Sequence, residues 1–437
     1  CAFNPEPLAD FFDAVLVGDG EEALPEMCAC MVRAKQERMA RQDVLARLAQ
    51  IEGVYVPGFF EAAYRDDGTI KEIKPLRPEY QGVTKRWIAS LDATPCLRAP
   101  LVPYMKIVHD RLSLEIARGC TRGCRFCQAG MLYRPVRERS PDGLLDTCRR
   151  SLERTGYADV SLLSLSTGDY RCIGALMERM MGQLACDRVA VSLPSLRAGT
   201  LTPAMMELIK AIRKTGFTIA PEAGSQRLRD VINKNISELE IIETVEGAFR
   251  MGWQLVKLYF MIGLPTECDE DLDALVELVQ SLRRLRGRGA RRGQINVSVA
   301  TFIPKAHTPF QWAAQLPLEE SRRRIGWLQE RLRQEGLQLK WQNPEASLLE
   351  GLWARGDRRL APLLLEAYRR GCRFDGWSDR FHYDYWQRAF AASGLDIEQV
   401  ATAAIAPNAV LPWDGIDTGC RKDHLRREYE SALSGTA

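Results

Sequence analysis

The chain has 437 residues, of which 46% are apolar and 27% charged, and a formal net charge of +3 at pH 7. This length points to a large central domain with flanking pieces, and the composition excludes a disordered, collagenous or membrane-spanning chain. No apolar run is long enough for a bilayer, and the net charge is too small to argue for general nucleic-acid or membrane binding. Thirteen cysteines spread over this length are not the framework of a small secreted domain and read as reduced thiols in a cytoplasmic protein. The chain opens with neither Met nor a basic stretch leading into an apolar one, so it reads as part of a longer protein without a signal peptide.

In chain order, residues 1–52 read as the end of an α/β domain, with a strand over Phe11–Val17, a Gly18-Asp19-Gly20 turn and a helix from Glu21. Residues 53–110, rich in proline with short β-like runs, read as a linker wrapping the core. From 111 to about 340, β-branched runs, Gly/Ser/Pro loops and amphipathic stretches alternate, which is the pattern of parallel βα units. Strands are expected at Leu112–Ala117, Val160–Ser166, Arg188–Pro194, Phe217–Pro221, Val256–Gly263 and Ile295–Phe302. Helices are expected at Pro141–Arg154, Ile173–Leu184, Pro203–Thr215, Ser237–Met251 and Glu270–Leu285, followed by a basic one at Ser321–Gly336. Six strands predict an α/β fold of partial (β/α)6, TIM-like type rather than a closed eight-stranded barrel. Residues 341–437 are expected to form a mainly helical extension in which Trp377, Trp386 and Trp413 pack a cap.

The chemistry concentrates in Arg118-Gly-Cys-Thr-Arg-Gly-Cys-Arg-Phe-Cys127, at the end of the first expected strand. Cys120, Cys124 and Cys127 can converge on one centre, and three thiolates without an obvious fourth suggest an iron-sulfur cluster with one iron left open. Gly119 and Gly123 relieve crowding while the loop curls around a bulky group. A structural zinc site would want a fourth Cys or His at paired spacing, and a Cys-x-x-Cys redox pair would leave Cys120 unexplained.

This Cys-x3-Cys-x-Phe-Cys loop resembles the defining motif of the radical S-adenosylmethionine (SAM) superfamily. The resemblance implies two cofactors, a 4Fe-4S cluster on Cys120, Cys124 and Cys127 and SAM chelating the open iron. It implies reductive cleavage of SAM to a 5′-deoxyadenosyl radical, with electrons from a flavodoxin- or ferredoxin-type donor. SAM contacts are then expected from Phe126 and from the carboxyl ends of later strands. Thr167-Gly168-Asp169 stands where the superfamily has Gly-Gly-Glu, which receives the SAM ammonium; an Asx-type turn is the alternative. Ser192, Ser195 and Arg197 suit ribose and carboxylate contacts, and Glu222 a polar one, although Ser225 beside it also reads as a helix cap. Met261-Ile-Gly-Leu-Pro-Thr-Glu267 resembles the adenine-packing motif with most glycines lost, so Ile262 and Leu264 are adenine contacts or ordinary core.

With Arg370-Gly-Cys-Arg-Phe-Asp-Gly-Trp377 and Leu411-Pro-Trp-Asp-Gly-Ile-Asp417, nearly the whole chain resembles radical SAM proteins that carry an N-terminal cobalamin-binding-type domain. Residues 1–52 would be the remnant of that domain, and a small partner domain of unknown function is implied as well. The Asp-x-His-x-x-Gly motif that supplies cobalamin's lower histidine is absent, so histidine-ligated cobalamin is not expected, and cobalamin bound without that histidine is left to a longer protein. Arg134, Arg137 and Arg139 are candidates for an anionic substrate, and Cys268, Cys372 and Cys420 for a second thiol role or simple packing. Six arginines between Arg283 and Arg292 can grip RNA phosphates or form a solvated loop. The function expected is SAM cleavage followed by methylation, methylthiolation or rearrangement of a substrate. The rival is a non-catalytic cluster- and SAM-binding or RNA-associated scaffold.

Overall fold

Alternating burial marks the runs that form the central sheets. In Phe217–Glu222, Leu255–Ile262 and Gln294–Thr301 every second residue is buried and its neighbours are less so, as a strand between a core and covering helices requires. The computed structural model describes residues 2–105, 107–184, 189–193, 197–199, 217–285 and 293–435. Within it, β1 (Leu112–Glu115), β2 (Asp159–Leu163) and β3 (Ala190–Ser192) form a parallel sheet in the order β3-β2-β1. A second parallel sheet runs β4 (Phe217–Glu222), β5 (Leu255–Ile262), β6 (Gln294–Thr301) and β7 (Leu337–Trp341).

Helices return the chain between these strands. Pro141–Thr155 starts with Ser140 capping the Gly143 amide, and its proline occupies the first turn, where no amide hydrogen is needed. Ile173–Leu184 follows β2, while Glu238–Arg250 opens with a capping box of Ser237 and Glu240. Asp269–Arg284 and Leu318–Arg331 complete the described helices that cover the second sheet. One core gathers Leu112, Leu114, Val160, Leu162, Leu176 and Met180; the other gathers Ile219, Val245, Phe249, Val256, Leu258, Leu275, Val297 and Leu328. The α/β, TIM-like class is the one expected, and the described residues hold a seventh strand besides the six anticipated. The helix expected at Pro203–Thr215 and the ends of the third expected strand, Arg188 and Pro194, lie outside the described residues.

The flanking segments close on one another. The strand expected over Phe11–Val17 shrinks to Val15–Leu16, antiparallel to Val54–Tyr55, because Phe11 and Phe12 sit exposed in a turn with no strand beside them. The helix after it is Gly20–Gln36. Residues 53–110 contain a hairpin of Phe60–Tyr64 with Ile70–Pro75, and Val83–Thr84 pairs with Ile416–Asp417 from the far end of the chain. The helices Pro344–Arg355, Leu360–Arg369 and Tyr383–Ser393 pack around buried Leu352, Leu363 and Trp386. Trp413 is buried too, but Trp377 is 66% exposed and packs no cap, a correction to the sequence reading. No helix among the described residues is long and apolar enough to cross a membrane.

Arg229, on the short helix Gln226–Val231, is fully buried. Its guanidinium donates to the carbonyls of Ala223, Gly224 and Ile236 at 3.2, 2.7 and 3.1 Å, tying both ends of the segment after β4 together. Arg229→Met leaves those carbonyls buried without donors and is expected to lower stability by about 3 kcal/mol, read from the urea unfolding midpoint.

Candidate active site

The cysteine loop leaves β1 through Ile116 and the two-residue strand Ala117–Arg118, which pairs antiparallel with Arg137–Glu138. Gly119 has φ +95°, and a Cβ there would lie 2.5 Å from the Tyr133 carbonyl oxygen, so no other residue fits this turn. Arg118 anchors the loop's start by donating to Asp19 (2.8 Å), Glu21 (2.7 Å) and both oxygens of Glu115 (2.8 and 2.9 Å). Asp19 also receives the Ile88 amide and the Arg137 guanidinium. Burial would raise the Asp19 carboxyl, but the Ile88, Arg137 and Arg118 hydrogen bonds hold it below the usual carboxylate range.

Past the cysteines, Cys127 caps the helix Gln128–Leu132, its Sγ accepting from the Gly130 amide at 3.4 Å. The Arg122 amide reaches the Cys120 sulfur at 3.5 Å. Such N–H···S contacts stabilise thiolate character and tune a cluster's potential. Burial pushes the Cys124 thiol up, with Lys234 and Arg197 pulling the other way, and burial likewise raises Cys127 against the Gly130 amide. Among the described residues no three His, Cys, Asp or Glu side chains converge on a single metal ion. A four-iron cluster instead takes each thiolate on a different iron, and three partly buried free thiols in one loop suit that requirement.

The segment after β4 meets this loop. The β4–β5 register slips between Ile219 and Glu222, and Glu222 takes a left-handed φ of +69°, an unfavourable backbone for a non-glycine residue. Its carboxylate accepts from Lys234 Nζ at 3.1 Å, and burial pushes that carboxyl up against the pull of the lysine. Lys234 also sits over the Phe126 ring, 5.7 Å from its centroid. Asn233 Nδ2 donates to the Gly123 carbonyl at 3.0 Å, and the Arg125 amide donates to the Ile232 carbonyl at 3.0 Å. Arg197 donates to the carbonyls of Lys234 and Asn235.

The structure therefore brings several expected site residues together. Arg122 of the cysteine loop pairs with Asp169, its Nε 2.7 Å from Oδ2, while Ser166 donates to the same carboxylate at 2.6 Å. Burial raises the Asp169 carboxyl, but Arg122 and Ser166 outweigh it and hold the group low. Leu264 is buried in one apolar cluster with Phe126. Other expected contacts are turned elsewhere. Thr167 is buried with its hydroxyl on Ser164 at 3.0 Å, and Gly168 lies inside the same one-turn helix, Thr167–Asp169. Ser192 donates to the Val160 carbonyl at 3.3 Å, and Ile262 belongs to the barrel core. Ser195 lies outside the described residues. Glu267, whose carboxyl burial pushes up to about 7, holds the Gly263 amide at 2.7 Å and pairs with Arg324, a structural use of the fifth-strand motif.

Of the arginines past the loop, Arg137 and Arg139 are committed to structure, on Asp19 and Ile88 and on Leu91 and Thr94 respectively; only Arg134 faces a cavity. Cys268 is exposed beside Asp271, Cys372 packs in the helical extension, and Cys420 lines the cavity with Cys120. The sequence reading missed Lys234 and Asn233. Its available signal was Asn233-Lys-Asn235, since asparagine is the non-glycine residue most at ease at positive φ, and both asparagines have φ +51°.

Residues 1–57 match the family model of radical SAM proteins, N-terminal, and residues 114–279 match that of the radical SAM superfamily. An uncharacterized protein of Methanocaldococcus jannaschii is 32% identical over 366 residues, covering 82% of this chain and 70% of that protein. A tRNA-2-methylthio-N(6)-dimethylallyladenosine synthase of Pelotomaculum thermopropionicum is 25% identical over 183 residues, 40% of each chain. The radical SAM methyltransferase TsrM of Kitasatospora setae, solved with cobalamin and a [4Fe-4S] cluster, superposes with a TM-score of 0.47 at 14% identity, over 71% of this chain and 55% of that one. The chain thus spans about half the length, or less, of the last two proteins.

The Arg122–Asp169 pair is half-buried, its side chains 36% and 23% exposed, so its net worth is modest. A double-mutant cycle of Arg122→Gln and Asp169→Asn is expected to show a coupling of about 1 kcal/mol in unfolding free energy.

Proposed function

Because this chain belongs to the radical SAM superfamily, whose members are enzymes that use a 4Fe-4S cluster and SAM, we propose that it cleaves SAM reductively to act on a substrate. The observation that carries this reading is the Cys120, Cys124 and Cys127 loop at the carboxyl end of β1, clamped by Asn233 and Lys234 from the segment after β4. When bound, the cluster and SAM supply one-electron reduction and a 5′-deoxyadenosyl radical. The chain's own residues do the positioning. Cys120, Cys124 and Cys127 would hold the cluster, and Asp169, now paired with Arg122, would receive the SAM ammonium. Arg197 and Glu222 supply polar contacts, and Phe126 and Leu264 form an apolar wall.

In this proposal residues 111–340 are the catalytic barrel, with β7 ending at Trp341. Residues 1–52 are the remnant of a cobalamin-binding-type domain, 53–110 the linker and 341–437 the helical extension. Cobalamin enters this proposal only for a longer protein that would carry a complete domain of that type. All eleven described cysteines are free, which suits the reducing cytoplasm, where a flavodoxin- or ferredoxin-type protein supplies electrons. Methylation, methylthiolation and rearrangement are the outcomes to look for, and a small partner domain is included in the same proposal.

Anaerobic reconstitution with iron and sulfide, followed by SAM and dithionite, is expected to yield 5′-deoxyadenosine. Cys124→Ala should abolish it, and Asp169→Asn should weaken SAM binding about tenfold while keeping the iron. A cluster that forms without any SAM cleavage would instead support the scaffold reading. An RNA substrate is the second part of the proposal, suggested by the arginine run, of which Arg286, Arg288, Arg291 and Arg292 lie outside the described residues. Replacing Arg283, Arg284, Arg286, Arg288, Arg291 and Arg292 by glutamine should flatten the salt dependence of RNA binding by about 0.7 log units per log of salt for every phosphate that the variant no longer neutralises. Unchanged RNA retention would remove RNA from the proposal.

A further inference from the structure

Beside the cysteine loop lies a cavity of about 770 Å³, a volume within the range of small-molecule sites. Its walls come from three distant parts of the chain: Thr84–Trp87 of the linker, Arg134–Val136 after the cysteines, and Thr418–Arg427 at the start of the last helix. Cys120 itself forms part of the wall, so whatever fills the cavity lies against one edge of the cluster site. We propose that this cavity binds a small organic anion, with a phosphate or carboxylate group on an apolar or aromatic body.

Charge carries the argument. The lining contains four cations, Lys85, Arg134, Arg421 and Arg427, together with His424, and no carboxylate. Among the described residues none of the three arginines makes an ion pair, whereas nearby Arg137 pairs with Asp19. Lys85 is 6% exposed, and its ammonium donates to the carbonyls of Leu132 at 2.7 Å and Arg134 at 2.8 Å. An ammonium has three hydrogens, so one is left for an occupant of the cavity that Lys85 lines. Asp19 and Asp417 are the acids whose charge favours the Lys85 ammonium; Asp19 is taken by Arg118 and Arg137, and Asp417 Oδ1 by the Gly419 amide at 2.7 Å. A buried cation with a spare donor is costly unless a ligand or water completes it.

Geometry adds direction. The helix Lys422–Ser434 begins at the rim, so its first amides and positive end contribute to the same field. His424 and Arg427, three residues apart on this helix, share one face toward the cavity, and Cys420 lines it from the bend just before the helix. Trp87, 45% exposed, together with Met131, Pro135 and Val136, forms the apolar part of the wall. An inorganic ion alone would leave that part empty. The reading of this anion as the substrate rests on the catalytic proposal above; its binding does not.

Cys420 gives a readout independent of catalysis. In cluster-reconstituted protein, the rate at which iodoacetamide alkylates Cys420 is followed by peptide mass spectrometry, with exposed Cys172 as the internal reference. Phenyl phosphate or phenylacetate at about ten times its dissociation constant should slow Cys420 about tenfold and leave Cys172 unchanged. Protection by the first alone identifies a phosphate site, and by the second alone a carboxylate site. Arg421→Gln with Arg427→Gln, both on exposed side chains, should remove the protection without loss of cluster absorbance. The proposal is overturned if neither anion protects, if neutral benzyl alcohol protects as well, or if the double variant is protected as strongly as the parent. SAM cleavage measured in the same samples reports on the catalytic reading separately.

Discussion

Burying Lys234 against Glu222 at the mouth of the barrel sets where the cysteine loop can lie. An ammonium and a carboxylate there are stable only together, since either alone would be an unpaired buried charge. The pair holds the segment after β4 in one conformation, and Arg229 fastens the ends of that segment from below. From this fixed turn Asn233 holds the Gly123 carbonyl, the Ile232 carbonyl holds the Arg125 amide, and Lys234 covers Phe126. The loop is thereby gripped on both sides of its second cysteine, Cys124. The left-handed backbone of Glu222 is strain retained at this point, where it aims the carboxylate at Lys234.

The other end of the loop is held by charge of the opposite arrangement. Arg118 and Arg137 share Asp19, which stands at the start of the first long helix, so the N-terminal segment braces the loop against the barrel. The last helix completes the enclosure through Glu428 and Ser431, both of which meet the Arg125 guanidinium. Elements from both ends of the chain thus converge on eight residues. Resident groups that must be shielded from water need such enclosure, and a loop clamped at several points loses less entropy when it binds them.

Much of this is legible in the sequence, and the rest is hidden for definite physical reasons. The parallel strands show because β-branched runs recur between amphipathic stretches, and the cysteine triplet shows because its spacing is local. The seventh strand, Leu337–Trp341, escapes notice although Leu337 and Leu339 alternate with Gln338 and Lys340; as a sheet-edge strand it is too polar to stand out beside the preceding helix. Arg137 and Arg139 look free in sequence because their partners, Asp19, Leu91 and Thr94, are more than forty residues away. Lys234 is hidden for a different reason: its partner Glu222 is close in sequence, but only the irregular end of β4 turns that carboxylate toward it. Asp169 stands out in sequence by its place after the second strand, but its pairing with Arg122 is a tertiary fact.

Everything above depends on Cys120, Cys124 and Cys127 holding a four-iron cluster whose remaining iron is open to SAM. Electron paramagnetic resonance of the reduced, reconstituted protein tests this directly. A reduced-cluster signal whose g-values shift when SAM is added is the expected result. A signal that SAM leaves unchanged, or iron that stays bound after all three cysteines are replaced by alanine, would contradict it.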